Sequence, residues 1–249
     1  MIQTSIAGQA VAVVTHVDPI PGGKNLTEAR LTEPILTLHL AGLGGGLSLL
    51  ATWDGEGLTI PHGELTPGAW GEGYVDRRHP HTYVHELMLL AHPAGGVTLG
   101  VGKGFVPFGT DDPMSRPPLR YPVNHHFAQI LERAVVLAGV RRGIVEIEGA
   151  LFNGDEPEHP SQWPRIAGRL GDSYAVRLTV RPTEGLEVQG SRAKVHSPEH
   201  RAGAGSDQFK WSASLRWDRE GRYGLIEWAR TSELDGFFVF HSLLAEGAL

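Results

Sequence analysis

Hydrophobic and polar residues alternate one by one in many short segments of this chain. Segment 209–217 shows the pattern most clearly, since its apolar face has aromatic rings at both ends and its other face is polar. The apolar residues are Phe209, Trp211, Ala213, Leu215 and Trp217, and the polar residues are Lys210, Ser212, Ser214 and Arg216. Alternation with a period of two predicts a β-strand with one apolar and one polar face.

The same alternation recurs along the sequence and predicts an all-β protein. In 144–151 apolar residues oppose Glu146 and Glu148, and in 174–181 they oppose Arg177 and Arg181. The predicted strands are 3–16, 30–41, 47–54, 80–92, 97–106, 129–140, 144–152, 173–181, 186–196, 208–217, 222–230 and 237–247.

The predicted connections alternate in length as regularly as the side chains alternate in polarity. Short turns with Gly and Pro follow every second strand, and longer loops rich in proline and charge lie between them. A meander of this kind is the layout of an up-and-down antiparallel transmembrane β-barrel, with short periplasmic turns and long extracellular loops. We therefore predict one barrel domain over 1–249, of about 12 strands, with both termini on the periplasmic side. A soluble β-sandwich, whose strands also alternate, is the second interpretation.

Composition narrows the function without deciding the fold. The chain has 249 residues, a net charge of −6 and no cysteine, which excludes disulfide frameworks and thiolate metal sites. It has no basic block, so nucleic acid is not an expected partner. No stretch is long and apolar enough for a membrane-spanning helix. Residues 1–5 do not begin a signal peptide, so we expect this chain to be a mature or trimmed form.

Segment 102–109 reads Gly-Lys-Gly-Phe-Val-Pro-Phe-Gly. It resembles the strand-end segment of bacterial porins of the phosphate-selective type, G-K-x-F/Y-x-P-F-G before a long loop. Segment 124–127, Asn-His-His-Phe, and segment 143–154, which ends in Phe-Asn-Gly, are similar to the next hairpin of those porins. The resemblance covers residues 80–155 and implies an outer-membrane barrel that passes small solutes by diffusion, without implying phosphate as the solute. Those porins are longer and end in an aromatic residue, whereas this chain ends at Leu249, so we expect a small barrel or the front portion of a longer one.

Histidines offer a second chemistry. His79, His81, His85 and Glu86, preceded by Gly73, match the first motif of the cupins, G-x5-H-x-H-x4-E. Cupins are soluble β-barrels that hold Fe, Mn, Zn or Ni, and imidazole and carboxylate suit those ions. The second cupin motif is not completed after the Pro-Phe-Gly of 107–109. A soluble cupin-like or sandwich protein with a metal site at these four residues is therefore the alternative, and polar residues at a barrel rim are the simpler interpretation.

The sequence as a whole favours a porin-like channel in the bacterial outer membrane, without enzymatic activity or cofactor. Its expected partners are outer-membrane lipid and small polar or charged solutes or ions. The sequence leaves the solute and the oligomeric state open, a homo-oligomer included. The expected mechanism is passive, with pore width and rings of charge setting selectivity. A small barrel can also be filled by its own side chains, and such a barrel would be structural or adhesive.

The predicted channel has two sets of functional residues. The predicted pore-lining residues are Glu146, Glu148, Arg177, Arg181, Lys210 and Arg216. The predicted constriction is the 107–128 loop, with Asp111, Asp112, Arg116 and Arg120.

Overall fold

A computed structural model describes residues 2–17, 26–61, 65–67, 75–77, 81–110 and 128–248, and almost all of its regular structure is β. One helical turn, α1, covers Glu56–Thr59, and short 3₁₀ turns cover Leu43–Gly45 and Leu234–Gly236. The strands in these ranges are β1 (Gln3–Val17), β2 (Leu26–Gly42), β3 (Leu47–Asp54), β4 (Leu65–Pro67), β5 (Val75–Arg77), β6 (Val84–Ala91), β7 (Val97–Gly104), β8 (Arg133–Arg142), β9 (Val145–Phe152), β10 (Ser173–Thr183), β11 (Leu186–Val195), β12 (Gln208–Arg219), β13 (Arg222–Glu233) and β14 (Phe238–Ala248).

Twelve of these strands form one antiparallel sheet in which every strand pairs with the strand before and after it. The order is β1-β2-β3-β6-β7-β8-β9-β10-β11-β12-β13-β14, so β1 and β14 are the two edges within the described residues. The up-and-down meander predicted from the sequence is therefore confirmed. The remaining strands, β4 and β5, pair with each other inside a connection that the sequence predicted as loop.

The turns at one end of the sheet are tight, and their chemistry explains why. The β12–β13 turn consists of Glu220 and Gly221, with φ of 55° and 77°. Two consecutive positive φ values belong to the hairpin turn that matches the right-handed twist of the strands. The other connections at this end have two to five residues and lie at 43–46, 92–96, 143–144 and 184–185. At the opposite end the connections are long, at 18–25, 55–83, 105–132, 153–172 and 196–207, and only 234–237 is short.

The sheet exposes its apolar side chains and buries its polar ones. Ile226 on β13 is 54% exposed, whereas its neighbour Glu227 is 0% exposed. The same contrast separates exposed Val176 and Val188 from buried Thr179 and Gln189 on β10 and β11. A soluble protein shows the reverse distribution, and a barrel surrounded by lipid requires this one. We call the polar side of the sheet the inner face and the apolar side the outer face.

No helix in the described residues is long and apolar enough to cross a membrane.

Two of the strand boundaries differ from the prediction for one physical reason. Segment 129–140 has apolar residues on both faces, and the observed strand β8 begins only at Arg133. Before it the backbone leaves the sheet at Glu132, whose φ is 58°, and the main-chain oxygen of Ile130 accepts a hydrogen bond of 3.0 Å from Val106 N. Residues 105–110 and 128–132 thus pair with each other instead of lengthening β7 and β8.

Candidate functional site on the inner face

A chain of ion pairs crosses the inner face of β9, β10, β11 and β12 near the tight turns. Arg181 binds two carboxylates, Glu146 at 2.6 Å and Glu187 at 2.8 Å. Glu187 also faces Arg216 at 3.4 Å. On the same two strands, β9 and β10, and further from the tight turns, Arg177 binds Glu148 at 2.7 Å. Positive and negative side chains therefore alternate across four strands.

The register of the sheet produces this arrangement. Arg177 stands directly opposite Glu148, and Arg216 directly opposite Glu187. Side chains that face each other across two strands lie on the same side of the sheet, within reach of an ion pair. A cavity of about 580 Å³ lies beside this part of the inner face, with Arg181, Glu187 and Arg216 in its wall.

The structure places all six predicted pore-lining residues on this one face. Glu146, Glu148, Arg177, Arg181 and Arg216 belong to the ion-pair chain. Lys210 stands apart on β12, opposite Ala193 and Thr231, and is only 7% exposed. That the six residues line an open path stays a prediction.

The segment after β7 crosses the inner face toward strands far away in the sheet. Gly109 N donates a hydrogen bond of 2.8 Å to Ser191 Oγ on β11. The Thr110 hydroxyl donates one of 2.6 Å to Glu227 Oε2 on β13. Arg177 Nη1 on β10 donates one of 3.2 Å to the carbonyl of Gly109. The segment therefore starts at one strand and is fastened to three others.

An apolar cluster holds this crossing segment against the loop end of the inner face. Phe108 is 1% exposed and is one of the largest fully buried side chains among the described residues. The cluster contains Met88, Val106, Phe108, Ile130, Val135, Ala150, Phe152, Ala175, Ala193 and Val195. The residue after Phe108 must be glycine, because a Cβ on Gly109, whose φ is +71°, would lie 1.5 Å from the oxygen of Ala128.

The predicted constriction residues Asp111, Asp112, Arg116 and Arg120 lie outside the described residues, as does segment 124–127. Both described ends of the 107–128 loop, however, lie on the inner face. Beneath them is a cavity of about 390 Å³ whose wall includes Glu86, Thr110, Glu148 and Arg177. The loop therefore enters the inner face at its two ends, and its role as a constriction stays a prediction.

The histidine group assembles differently from the predicted set. Donor atoms of Asp54, His81 and His85 lie within 4.8 Å of one another. Glu86 is not among them, because its carboxylate accepts a hydrogen bond of 2.9 Å from Thr52 Oγ1. His79 lies outside the described residues. His85 reaches the group because it is the extra residue of a β-bulge, between the pairs Thr52–Glu86 and Trp53–Val84, and a bulge re-aims the side chain.

Carboxylates surround both imidazoles. His85 Nδ1 donates to Glu132 Oε1 at 3.0 Å, and His81 Nδ1 lies 3.3 Å from Glu56 Oε2. Burial alone would lower the pKa of His81, but Glu56, Asp54 and Glu132 raise that pKa well above its usual value. Burial alone would raise the pKa of Glu132, but the hydrogen bond from His85 and the nearby positive charges hold it far below its usual range.

Sequence reasoning missed several residues of the inner face. Glu187, Gln189 and Ser191 alternate with residues of the outer face in β11 and are buried, so the period-two pattern could have found them. Glu227 carried no such pattern, because Tyr223, Leu225 and Ala229 on the same face are not charged. Its role depends on Thr110, a contact between distant segments that no local pattern encodes.

In sequence, no protein-family model matches the chain, and no curated protein matches it.

Solved structures share its fold at low sequence identity. The anion-selective porin from Comamonas acidovorans is 11% identical, with a TM-score of 0.53 over 98% of this chain and 83% of that one. OpdO from Pseudomonas aeruginosa is 14% identical, with a TM-score of 0.46 over 99% of this chain and 61% of that one. A loop L8 deletion mutant of OmpT, an outer membrane protein of Vibrio cholerae, is 10% identical, with a TM-score of 0.40 over 98% of this chain and 86% of that one.

Three observations indicate the same fold: the match to the Comamonas porin, the apolar outer face and the up-and-down meander. They do not favour a soluble cupin or sandwich. The chain therefore has the β-barrel fold of bacterial outer-membrane porins.

Proposed function

We propose that this protein is a porin-like channel of the bacterial outer membrane, through which small polar or charged solutes diffuse passively. One observation carries the proposal: a segment fastened by Gly109 and Thr110 crosses a charged inner face, inside a sheet whose outer face is apolar. The proposal treats 1–249 as one domain without enzymatic activity or cofactor.

The two faces of the sheet supply what a channel needs. Apolar side chains on the outer face can contact lipid tails without cost, whereas a charged side chain there costs about 2–4 kcal/mol at the middle of the membrane. The charged residues Glu146, Glu148, Arg177, Arg181 and Arg216 all lie on the inner face, where water can solvate them. The fold thus separates a surface for lipid from a surface for water.

The crossing segment lies within residues 80–155, the part of the chain that resembles phosphate-selective porins. Phe108 and Gly109 belong to that Pro-Phe-Gly sequence, and in the structure they anchor the segment to the inner face. We propose that the motif marks a loop which folds into the barrel and narrows it, with Asp111, Asp112, Arg116 and Arg120 at the constriction. Kinship with the phosphate-selective family is part of this proposal.

Selectivity follows from which charges line the path. In the ion-pair chain Arg177, Arg181 and Arg216 are balanced by Glu146, Glu148 and Glu187. Replacing the three arginines with glutamine leaves the three carboxylates without their partners. We therefore expect the triple variant to shift the reversal potential toward cation selectivity.

Planar-bilayer recording of the detergent-extracted protein tests the proposal. Gel mobility in SDS, boiled against unboiled, first establishes that each sample is a folded barrel. Wild-type protein should then give stepwise conductance, and Arg219→Gln, at a 59% exposed side chain beside the β12–β13 turn, is the matched control with unchanged selectivity. A folded wild-type barrel without conductance would refute the channel, and an unchanged reversal potential in the triple variant would refute the lumen assignment.

A further inference from the structure

Three buried side chains at the loop end of β3 and β6 are arranged like the ligands of a metal ion. The donor atoms of Asp54, His81 and His85 lie within 4.8 Å of one another, and the three residues are 0%, 8% and 0% exposed. Two imidazoles and a carboxylate are the ligand types of Zn²⁺ and neighbouring divalent transition metals. We propose that Asp54, His81 and His85 bind a divalent transition-metal ion of the zinc type.

The spacing of the donor atoms fits such an ion. His81 Nδ1 lies 3.5 Å from Asp54 Oδ2 and 3.3 Å from Glu56 Oε2. Two ligands bound tetrahedrally at about 2.0–2.1 Å are about 3.3 Å apart. Small side-chain movements therefore bring the three ligands to coordination distance, and Glu56 stands next to them as a further oxygen donor.

Hydrogen bonds already orient the ligands toward one another. Because Glu132 Oε1 accepts from His85 Nδ1 at 3.0 Å, Nε2 is the ring nitrogen that serves as ligand. Glu132 is itself held by the backbone N–H of Thr82 at 2.7 Å. Asp54 uses Oδ1 to accept from Glu56 N at 2.7 Å, which turns Oδ2 toward His81. A carboxylate behind a ligating histidine is the usual outer shell of a metal site.

The charges around the group also match a divalent cation. Asp54, Glu56 and Glu132 bring three buried carboxylates together, and Lys103 is the buried ammonium among the neighbours of Glu132. A buried charge is costly unless an opposite charge or a metal ion compensates it. Imidazoles that bind a metal ion are neutral, so with His81 and His85 as ligands the three carboxylates face one ammonium, and a divalent ion would balance the difference.

The site would fasten two long loops to the sheet. Asp54 ends β3, His81 lies in the 55–83 connection, His85 is the second residue of β6, and Glu132 belongs to the 105–132 connection. A bound ion would therefore fix the position of both loops at one rim of the barrel. This inference does not depend on the channel proposal, because a closed or non-conducting barrel could bind the ion equally well.

Metal titration of the full chain without a histidine tag tests the site. The detergent-extracted protein is stripped with chelator and titrated with Co²⁺, whose visible absorption reports its ligands. Zn²⁺ competition and a Mg²⁺ titration follow. We expect one Co²⁺ per chain, displaced by Zn²⁺ and not by Mg²⁺. A heat-modifiable, folded wild-type protein without stoichiometric Co²⁺ binding would overturn the proposal and identify the group as a network of protons and ion pairs.

Variants locate the bound ion. Asp54→Asn and His85→Gln should weaken Co²⁺ binding by more than 100-fold, and Glu132→Gln by about 10–100-fold, the usual loss when an outer-shell partner is removed. His159→Gln is the matched control, since His159 is exposed in the 153–172 connection. Unchanged affinity in folded His85→Gln would assign the ion to another place and refute the site. If a ligand variant does not fold, the Co²⁺ affinity of Glu132→Gln and the wild-type titration still test whether the ion binds at this site.

Discussion

The inner face of the sheet has two halves that hold their side chains in different ways. Toward the long loops, Phe108 of the crossing segment and Ile130, which precedes β8, pack on Val135, Phe152 and other apolar residues of the strands. Toward the tight turns the same strands carry the ion-pair chain of Arg181, its carboxylate partners and Arg216. The loop half contains the apolar cluster, whereas the turn half carries the ion pairs and borders a cavity of about 580 Å³.

Because of this difference, the two halves should contribute unequally to stability and to selectivity. Buried apolar side chains in a packed cluster contribute several kcal/mol each, whereas partly exposed ion pairs contribute about 0–1 kcal/mol. We therefore expect the loop half to determine stability and the position of the crossing segment. The turn half should determine which charges a solute meets.

Phe108→Ala, in the loop half, should lower the free energy of unfolding more than any other variant considered. The side chain is 1% exposed in the apolar cluster, and removing a buried phenylalanine costs about 3–5 kcal/mol in the free energy of unfolding. Urea unfolding in detergent measures the loss, and single-channel conductance should rise as the segment loosens. Phe237→Ala is the control, because Phe237 is 79% exposed at the same end. Equal losses in the two variants would contradict the packing described for Phe108.

Thr110→Val should weaken the attachment of the crossing segment to β13 at a smaller cost, because only the backbone N–H of residue 110 would still donate to Glu227. The variant keeps the size of the side chain and removes the hydroxyl that donates 2.6 Å to Glu227 Oε2. A hydrogen bond to a charged group contributes about 1.5–3 kcal/mol, so unfolding free energy should fall by that amount. Thr110→Ser restores the hydroxyl and should restore stability. If the Ser variant is as unstable as the Val variant, the hydrogen bond does not hold the segment.

Glu187→Gln, in the turn half, should change the ion selectivity with little effect on the free energy of unfolding. The variant removes the carboxylate shared by Arg181 and Arg216. Glu187 itself is buried, but both arginine side chains are partly exposed, so each pair is worth about 0–1 kcal/mol. The excess positive charge should move the reversal potential toward anion selectivity, opposite in sign to the triple arginine variant. Glu220→Gln, at a 78% exposed side chain in the β12–β13 turn, is the control. A shift toward cations would show that these charges do not face the conducting path.

The period-two pattern was sufficient for the strands because each has one face in an apolar and one in a polar environment. Segment 173–181, for example, was predicted within two residues of the observed β10, Ser173–Thr183. The pattern failed at 129–132, where Ile130 packs in the apolar cluster with Val106 and Phe108 instead of continuing the sheet. Local polarity cannot distinguish a second apolar face from a tertiary contact.

The candidate sites show the same limit. Alternation placed Arg177 and Arg181 on one face with Glu146 and Glu148, and the register then pairs them. The histidine group could not be completed from sequence spacing, because Asp54 joins it from another strand and a bulge turns His85 toward it. Spacing along a strand fixes the face of a side chain, but not which residue of a distant strand end lies beside it.

The contact between the two sides of the 105–132 connection has a consequence for engineering. Gly109 and Ala128 approach so closely that no Cβ fits between them. The backbone N–H of Val106 donates a hydrogen bond to the carbonyl oxygen of Ile130. This closed neck fixes the two described ends of the connection against each other. Each doubling of loop length costs only about 0.6 kcal/mol in closure entropy. A peptide inserted between the two sides of the neck should therefore leave the free energy of unfolding of the barrel nearly unchanged, and if the loop narrows the pore as proposed, the insertion should change the conductance.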